Sequence, residues 1–356
     1  MYTKKQKFLH AAVFIMIVVF SMGTINYYVD SYAQLRTTYL DVAEKMAEGY
    51  HVTGLSESRY NERYLALAAI HAMETVPECA VLGTSRSMTY QKEDFHVESL
   101  YNFSLSGGYL YDYYSIIGYL TDQGKLPKKV ILEVGGPLFY EEAIDPSYTY
   151  LQGGIDYLNA VIEGHKAKCQ YPAVGRQYQK FLSIDYFKYN LECLLKGERF
   201  QVTFTDEVEN TQTTKLSDGS FITSKEIRDL SVDYVEHLTR DIISSKSLYK
   251  VEGYEELSDQ RIGEFEKLVT WLIDQGVEVS LFLPPYSDPI YSFMKDNQQD
   301  YAGVFASEEY VVAFAKEYGL KLYGSYDPAG CDLQLEDLED AYHIRKESAA
   351  KALYLR

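Results

Sequence analysis

One serine and one aspartate–histidine pair have the residue types and surroundings of a nucleophile and its base. Ser85 follows Gly83 and Thr84 at the end of a short apolar run, and Asp340 precedes His343 by three positions. A serine in a tight turn after a buried strand projects its hydroxyl into a cleft, where free backbone N–H groups can stabilise an oxyanion. An aspartate three residues before a histidine can orient the imidazole to take a proton from serine. These residues predict nucleophilic acyl chemistry if the two segments meet.

Each segment alone also has a simpler interpretation. Residues 83–85 can form an ordinary strand-to-helix turn, and Asp340 can cap a helix beside a surface histidine. Ser87 is a poorer candidate for the nucleophile because it lies two residues further from the glycine, and Asp337 is an alternative orienting acid. Arg86, beside the serine, could bind an anionic substrate or pair with a carboxylate.

Five short apolar runs, most of them ended by glycine or proline, predict the strands that position these residues. They cover residues 79–82, 100–103, 129–134, 277–283 and 320–323, and helical patterns separate them at 109–120, 264–275 and 308–317, with a last helix at 346–353. Short apolar strands that alternate with helices are typical of a parallel sheet covered on both faces. We therefore predict an α/β fold with a three-layer, doubly wound, flavodoxin-like sheet of five parallel strands.

The predicted sheet brings the candidate residues to one edge. Ser85 follows the first strand, and Asp340 and His343 follow the fifth. In doubly wound sheets the cleft lies beyond the carboxyl ends of the strands. All three residues are therefore expected at the same rim.

A segment of about residues 145–257 interrupts the alternation of strands and helices. Helical patterns occupy residues 155–164 and 176–196, and a polar stretch follows them. We interpret this segment as a mostly helical cap inserted into a single domain of residues 76–356.

The N-terminus predicts a membrane anchor. Lysines precede an uncharged run of residues 8–25, and Tyr27 and Tyr28 lie where an interfacial aromatic belt belongs. Eighteen helical residues suffice to cross the hydrocarbon. The charge asymmetry predicts a single-pass protein of the cell membrane, with residues 1–7 cytoplasmic, 8–28 spanning and the rest extracytoplasmic. A signal peptide cleaved near residues 31–33 and a buried core helix are the alternatives.

Residues 29–75 are predicted to form juxtamembrane helices. Leu35, Tyr39, Val42 and Met46 recur at helical spacing, and a second helix is predicted over residues 59–74.

Charge and motifs exclude several functional classes. With 34 basic and 52 acidic residues the net charge is −18, which argues against nucleic acid and against electrostatic docking on anionic lipid. No CxxC motif, His/Cys cluster or glycine-rich phosphate loop is present, so we expect neither a metal nor another cofactor.

The cysteine and tyrosine contents leave alternatives open. Among the four cysteines, Cys79 is expected free in a strand, and Cys169 with Cys193 is the first disulfide pair to test. Tyrosine is unusually frequent, with 35 residues. These tyrosines either replace phenylalanine at half-buried positions or form an aromatic surface for sugars.

Three short segments together resemble a known family. Gly83-Thr84-Ser85-Arg86, Gly107 and Asp340-x-x-His343 resemble the first, second and fifth sequence blocks of SGNH/GDSL-type hydrolases. With the anchor and the Leu-Pro-Pro after the fourth strand, the chain resembles more narrowly the membrane-anchored SGNH-like proteins of bacterial cell envelopes. Those include the proteins of teichoic-acid D-alanylation and polysaccharide O-acetylation, which often partner a membrane-bound O-acyltransferase. The resemblance covers about residue 78 to the C-terminus, without the insert.

This resemblance implies a role for each matching residue. Ser85 matches the nucleophile, His343 the general base and Asp340 its orienting acid, while the N–H of Gly107 would join that of Ser85 in an oxyanion hole. The third block departs from the family pattern, because the chain has Gly-Gly-Pro at residues 135–137 where the family commonly has Gly-x-Asn.

Loss of one oxyanion donor typically costs about 10²–10³ in rate. The site is therefore expected to be slow, to use Arg86 or a backbone N–H instead, or to bind without turnover. The expected function is a membrane-tethered serine esterase or O-acyltransferase acting on a cell-envelope polysaccharide or its acyl donor. The alternatives are a catalytically weak polysaccharide-binding or scaffold partner of a membrane-bound O-acyltransferase, and a purely structural ectodomain.

Overall fold

A five-stranded parallel sheet lies at the centre of the computed structural model, which describes residues 3–55, 61–143, 146–197, 202–246 and 248–356. The strands in these residues are β1 His51–Thr53, β2 Cys79–Leu82, β3 Leu100–Asn102, β4 Lys129–Glu133, β5 Thr203–Thr205, β6 Thr214–Lys215, β7 Phe221–Ile222, β8 Glu278–Leu283 and β9 Lys321–Gly324. The parallel sheet has the order β3-β2-β4-β8-β9. The prediction of five parallel strands is confirmed, with every end within one residue.

The strands of this sheet are apolar on both faces because both faces are covered. Val130 and Leu132 of β4 point into one core, and Ile131 between them points into the other. The chain runs from β2 outward to β3 and then returns past β2 to β4. The direction of winding therefore reverses between β2 and β4, where such sheets have their cleft.

Three long helices cover one face of the sheet and short segments cover the other. The helices are α1 Lys4–Val29, α2 Tyr39–Ala47, α3 Glu62–Ala72, α4 Lys92–Phe95, α5 Leu110–Asp122, α6 Gln152–Ile162, α7 Ile184–Lys196, α8 Lys225–Arg228, α9 Val232–Ser245, α10 Asp259–Asp274, α11 Asp288–Asp296 and α12 Ala302–Tyr318. Helices α5, α10 and α12 bury their apolar stripes on one face. On the opposite face, α4 and the chain after β9 form the thinner third layer.

Two helix predictions need correction. The last segment, Lys346–Leu353, is a 3-10 helix, in which residues three apart lie one above the other; Ala349 and Ala352 are both fully buried in this register. The helix predicted over 176–196 is divided into a 3-10 helix, Tyr178–Leu182, and α7. Ser183 separates them because its side chain accepts the N–H of Tyr186 and caps α7.

A second, antiparallel sheet joins the insert to the segment after α1. It has the order β5-β1-β6-β7. Strand β1 lies between α2 and α3, in the segment that separates the two predicted juxtamembrane helices. The stripe residue Leu35 lies before α2, which begins after the capping Thr38. The predicted starts of the second helix at residue 59 and of the insert at residue 145 lie outside the described residues.

Helix α1 is long and apolar enough to cross a membrane, and only 6% of its most apolar window is buried. Its last two turns pack on the insert through Gly23 and Asn26. Asp30 ends the helix in the left-handed region and accepts backbone N–H groups of residues 34–36.

All four cysteines are buried free thiols, so Cys169 and Cys193 are not joined. Burial raises the pKa of Cys79 to about 12, which makes this thiol unreactive.

Many tyrosines belong to the core. Six are among the largest fully buried side chains: Tyr90, Tyr113, Tyr114, Tyr119, Tyr254 and Tyr326.

Candidate active site

Ser85, His343 and Asp340 meet at the carboxyl edge of the parallel sheet. The Ser85 Oγ lies 2.8 Å from His343 Nε2. On the other side of the ring, His343 Nδ1 lies 2.8 Å from Asp340 Oδ2. A carboxylate only accepts hydrogen bonds, so Nδ1 carries the ring proton and Nε2 is left to accept from the serine hydroxyl. This is the arrangement in which a histidine can remove a proton from serine.

A tight hairpin presents Asp340 and His343 together. Leu338 and Ile344 form an antiparallel bridge, and the N–H of Glu339 donates to the carbonyl of His343 at 2.8 Å. At its tip, Asp340 Oδ1 accepts the backbone N–H of Tyr342 at 2.8 Å and that of His343 at 2.9 Å. The three-residue spacing between Asp340 and His343 therefore allows one carboxylate to accept hydrogen bonds from both the backbone of the turn and the imidazole ring.

The surroundings of Asp340 favour its ionised form. Burial alone would raise the pKa of this carboxyl group. The hydrogen bond from His343, the electrostatic attraction of its ring and the two backbone donors outweigh burial and hold the pKa of Asp340 below its ordinary value.

Ser85 begins a 3-10 turn directly after β2. Thr84 caps this turn by accepting the N–H of Arg86. The carboxyl group of Glu133, fully buried at the end of β4, accepts the N–H of Thr84 at 2.8 Å, the hydroxyl of Thr84 at 2.7 Å and the hydroxyl of Ser87 at 2.5 Å. Glu133 of β4 thereby attaches the turn that contains Ser85 to the strand next to β2.

Glu133 was missed from the sequence, although a signal was present. It is an acid at the end of an otherwise apolar strand, and a fully buried acid needs a partner. Its contact also explains Gly83, because a Cβ there would lie 2.6 Å from the Glu133 carboxyl oxygen.

The loop after β3 places Gly107 at the same cavity as Ser85. The N–H of Leu105 donates to the carbonyl of Gly83 at 3.0 Å, so this loop lies directly on the serine turn. Gly107 has φ +61°, which favours glycine. Within the described residues, the backbone N–H groups of Ser85 and Gly107 have no hydrogen-bond acceptor. Both are therefore available to a ligand in the cleft.

The third block supplies no side-chain donor. Residues 135–137 lead into the 3-10 helix Gly136–Phe139, and Pro137 has neither an N–H nor a polar side chain. The hydroxyl of Tyr286 lies where a Cβ on Gly136 would be. Residues 135–137 therefore provide no side-chain donor in place of the asparagine that the resemblance leads one to expect.

Arg86 lines the cavity but is engaged with the sheet. Its Nη2 donates to the carbonyls of Pro284, at 2.9 Å, and Pro285, and its guanidinium lies 4.6 Å from the centre of the Tyr286 ring. Among the described residues no carboxylate pairs with it, and its Nε is buried without a hydrogen-bond partner. The two prolines after β8 thus bind the residue next to the serine.

The two alternative residues lie elsewhere. Ser87 is fully buried and donates to Glu133. Asp337 binds Lys351 at 2.8 Å and accepts from Ser348 at 2.5 Å, away from the imidazole.

The insert also reaches the histidine hairpin. The hydroxyl of Thr223 donates to the carboxyl group of Glu339 at 2.5 Å. Burial raises the pKa of Glu339, although the Thr223 hydrogen bond partly opposes this. The insert therefore borders the site directly, and this contact had no signal in the sequence.

A cavity of about 1550 Å³ opens over the three residues. Ser85, Gly107 and His343 line one part of it, while Tyr186 and Tyr189 of α7 line another. This volume exceeds the roughly 300–1,000 Å³ of common small-molecule sites. The cleft can therefore hold a large or extended ligand.

Comparison of the chain with models of known protein families finds no match, and none of the curated proteins compared is similar to it.

Proposed function

We propose that the protein is a membrane-tethered serine esterase or O-acyltransferase of the SGNH type. The observation that carries this proposal is the continuous hydrogen-bonded arrangement from Ser85 through His343 to Asp340. The unoccupied N–H groups of Ser85 and Gly107 at the same cavity support it. The five-stranded parallel sheet and the position of the Ser85 turn after β2 also support it.

In the first half-reaction, Ser85 Oγ attacks the carbonyl carbon of an ester. His343 Nε2 takes the hydroxyl proton as the bond forms, and Asp340 stabilises the resulting imidazolium. The N–H groups of Ser85 and Gly107 donate to the oxyanion. When the ester C–O bond breaks, His343 returns the proton to the leaving alkoxide and an acyl-serine remains.

In the second half-reaction, a hydroxyl group or water attacks the acyl-serine. His343 takes the proton of this acceptor, and the bond between the acyl carbon and Ser85 Oγ breaks as the proton returns to the serine. A glycan hydroxyl as acceptor gives O-acyl transfer, and water gives hydrolysis. The missing third-block asparagine is expected to slow both steps by about 10²–10³.

A membrane anchor would limit the substrates to those that lie near the membrane surface. With α1 in the cell membrane and the remaining chain outside it, the site would act on a cell-envelope polysaccharide or on its acyl donor. A membrane-bound O-acyltransferase is the proposed partner that delivers the acyl group. The size of the cavity fits a polymeric acceptor better than a small ester.

A second candidate function is polysaccharide binding or scaffolding of that acyltransferase with weak or no turnover. Two observations favour it: the third block offers no donor, and tyrosines line the cavity. Tyr32 and Tyr189 stack there with ring centres 4.4 Å apart. Aromatic faces with hydroxyl groups suit sugar binding.

Active-site labelling separates the two functions. The full chain in detergent is treated with a fluorophosphonate probe and assayed with p-nitrophenyl acetate, as wild type, Ser85→Ala and Ser147→Ala. Ser147 is the control because it lines the same cavity. We expect Ser85→Ala to lose labelling and to hydrolyse p-nitrophenyl acetate at least 10³-fold more slowly than wild type. Ser147→Ala should keep its labelling and its hydrolysis rate within a few-fold of wild type. Equal labelling of Ser85→Ala and wild type would exclude Ser85 as nucleophile, and glycan pull-down unaffected by Ser85→Ala would then support binding.

A further inference from the structure

Four exposed apolar side chains lie together on the insert beside the end of α1. They are Tyr178 (74% exposed), Phe181 (39%), Leu182 (53%) and Ile184 (63%), and we call them the apolar edge. They belong to the 3-10 helix Tyr178–Leu182 and the first turn of α7. Apolar side chains are exposed singly on many proteins, but a contiguous group is typical of an interaction surface.

The apolar edge is attached to α1 by specific contacts. The ring of Phe181 occupies the space where a side chain on Gly23 would be. The side-chain amide of Asn26 donates to the carbonyls of Lys180 and Phe181, both at 3.0 Å, and of Ser183 at 3.1 Å. Asn26 is fully buried, so these contacts fix the position of the edge along the helix axis.

The apolar edge lies beside the C-terminal end of the apolar run of α1. The run covers residues 8–25, which is about 27 Å of helix, close to the roughly 30 Å of the hydrocarbon. Gly23 is in its last turn. If α1 crosses a bilayer with this run, Phe181 lies at the boundary between hydrocarbon and headgroups.

Charged side chains follow the apolar edge in the first turns of α7. Asn190 of α7 bonds both Asn26 near the end of α1 and Ser31 just after it, so the first two turns of α7 lie at the polar end of α1. Beyond Ile184, the next exposed side chains are charged, Asp185 and Lys188, and exposed leucines recur at the far end of α7, at Leu194 and Leu195. Apolar residues at the hydrocarbon boundary followed by charges are the pattern of an interfacial helix end.

We propose that the apolar edge inserts into the lipid bilayer beside α1, as a second membrane contact. This proposal rests on α1 being a membrane span. The side chains that would enter the bilayer are apolar, so zwitterionic lipid is sufficient for the contact, and the net charge of −18 gives no general attraction to anionic lipid.

The second contact fixes the orientation of the domain on the membrane. A single span leaves the tilt of the domain on the membrane free, whereas a second contact beside the span restricts that tilt. Lys180, which precedes Phe181 of the edge, and Tyr186 just beyond the edge line the same cavity as Ser85. The cavity then extends toward the lipid surface, where an acyl donor held in the membrane could enter it.

Site-directed fluorescence tests the depth of the edge. Single cysteines at Ile184, Leu355 and Phe14 of the full chain are labelled with the environment-sensitive fluorophore NBD in phosphatidylcholine vesicles. Leu355 is a matched control, exposed at 63% like Ile184, and Phe14 reports the span. The four native cysteines are buried, and the unmutated chain measures any background labelling.

We expect nitroxide-labelled lipid to quench the labels at Ile184 and Phe14 at least twofold more strongly than the label at Leu355. Strong quenching at Phe14 with equal quenching at Ile184 and Leu355 would overturn the second contact while leaving the span intact. Weak quenching at Phe14 would overturn the span and the second contact together. A Leu182→Cys label provides an independent repeat if the Ile184 variant folds poorly.

Discussion

The hydroxyl of Ser85 lies 2.8 Å from Nε2 of His343, across a separation of 258 residues in the chain. Two unrelated local structures produce this distance: a 3-10 turn after β2 and a hairpin after β9. Each is fixed by a buried or half-buried carboxyl group, Glu133 for the turn and Asp340 for the hairpin. The candidate site therefore depends on two acids with separate tasks.

Replacing Asp340 by asparagine should remove activity without unfolding the protein. The amide can no longer favour the Nδ1–H tautomer, so Nε2 is no longer the acceptor for Ser85. In a serine–histidine–aspartate site, such a change lowers kcat by about 10⁴. Rates of p-nitrophenyl acetate hydrolysis measure this effect.

Asp337→Asn is the matched control for that variant. Asp337 binds Lys351 instead of the imidazole, so kcat should change by less than threefold. Asp337 is buried and also accepts from Ser348 and from the N–H of Gln334, so this variant should lower the free energy of unfolding by about 1–3 kcal/mol and is a control for kcat. A larger loss of kcat in Asp337→Asn than in Asp340→Asn would contradict the assignment.

Glu133→Gln should destabilise the protein and slow labelling of Ser85. The carboxyl group accepts three hydrogen bonds, and the amide nitrogen of glutamine would face donors. Each unsatisfied buried donor costs about 1–3 kcal/mol. Urea unfolding should show a lower midpoint, and the fluorophosphonate rate should fall because the serine turn loses its support. Glu278→Gln at the exposed start of β8 removes a bond to Lys321 and should cost less than 1 kcal/mol.

Gly108→Ala should disturb the loop that presents Gly107. The added Cβ would overlap the carbonyl oxygen of Gly83 and lie 3.0 Å from that of Leu105. Backbone atoms cannot move aside as flexible side chains do, so we expect a cost of about 1–3 kcal/mol and a labelling rate at least tenfold lower.

Gly263→Ala is the control for that backbone effect. Gly263 lies within α10, and a Cβ there meets nothing within 4 Å. Alanine should stabilise the helix by about 0.5–1 kcal/mol with unchanged labelling. If both alanine variants behave alike in thermal unfolding and labelling, the close approach of Gly108 to Gly83 has no role.

Lys215→Met should stabilise the protein at neutral pH. The Nζ of Lys215 is buried, donates to the carbonyl of Gly219 at 2.9 Å and lies 4.3 Å from the centre of the Phe221 ring. Burial lowers the pKa of Lys215 to about 8, against about 10.4 for an unfolded lysine. Between these values the unfolded chain binds more protons than the folded one, so this lysine makes the free energy of unfolding rise with pH.

The advantage of Lys215→Met should therefore be largest below about pH 8, at about 1–3 kcal/mol, and should shrink toward pH 10. Urea midpoints of both proteins at pH 7.5, 9 and 10 measure this difference. A constant difference across that range would show that the charge of Lys215 is not the cause.

The parallel sheet could be predicted from the sequence because its strands are apolar on both faces and most of them end at glycine or proline. The positions of Ser85 and of the Asp340–His343 pair relative to those strands were readable for the same reason. Strand β1 was not predictable, because it has three residues and its partners β5 and β6 lie about 150 positions away. Such a strand has no periodic pattern of its own.

The sequence by itself determined the apolar N-terminal run, the five strands and the residue types at their carboxyl ends, since these depend on local composition and spacing. Only the tertiary structure decided that Glu133 supports the serine turn, that Arg86 is engaged by the prolines after β8, and that Phe181 lies against Gly23. Those relationships are contacts between distant segments. Their partners are selected by packing and by the need to pair buried polar groups, and no spacing along the chain encodes that choice.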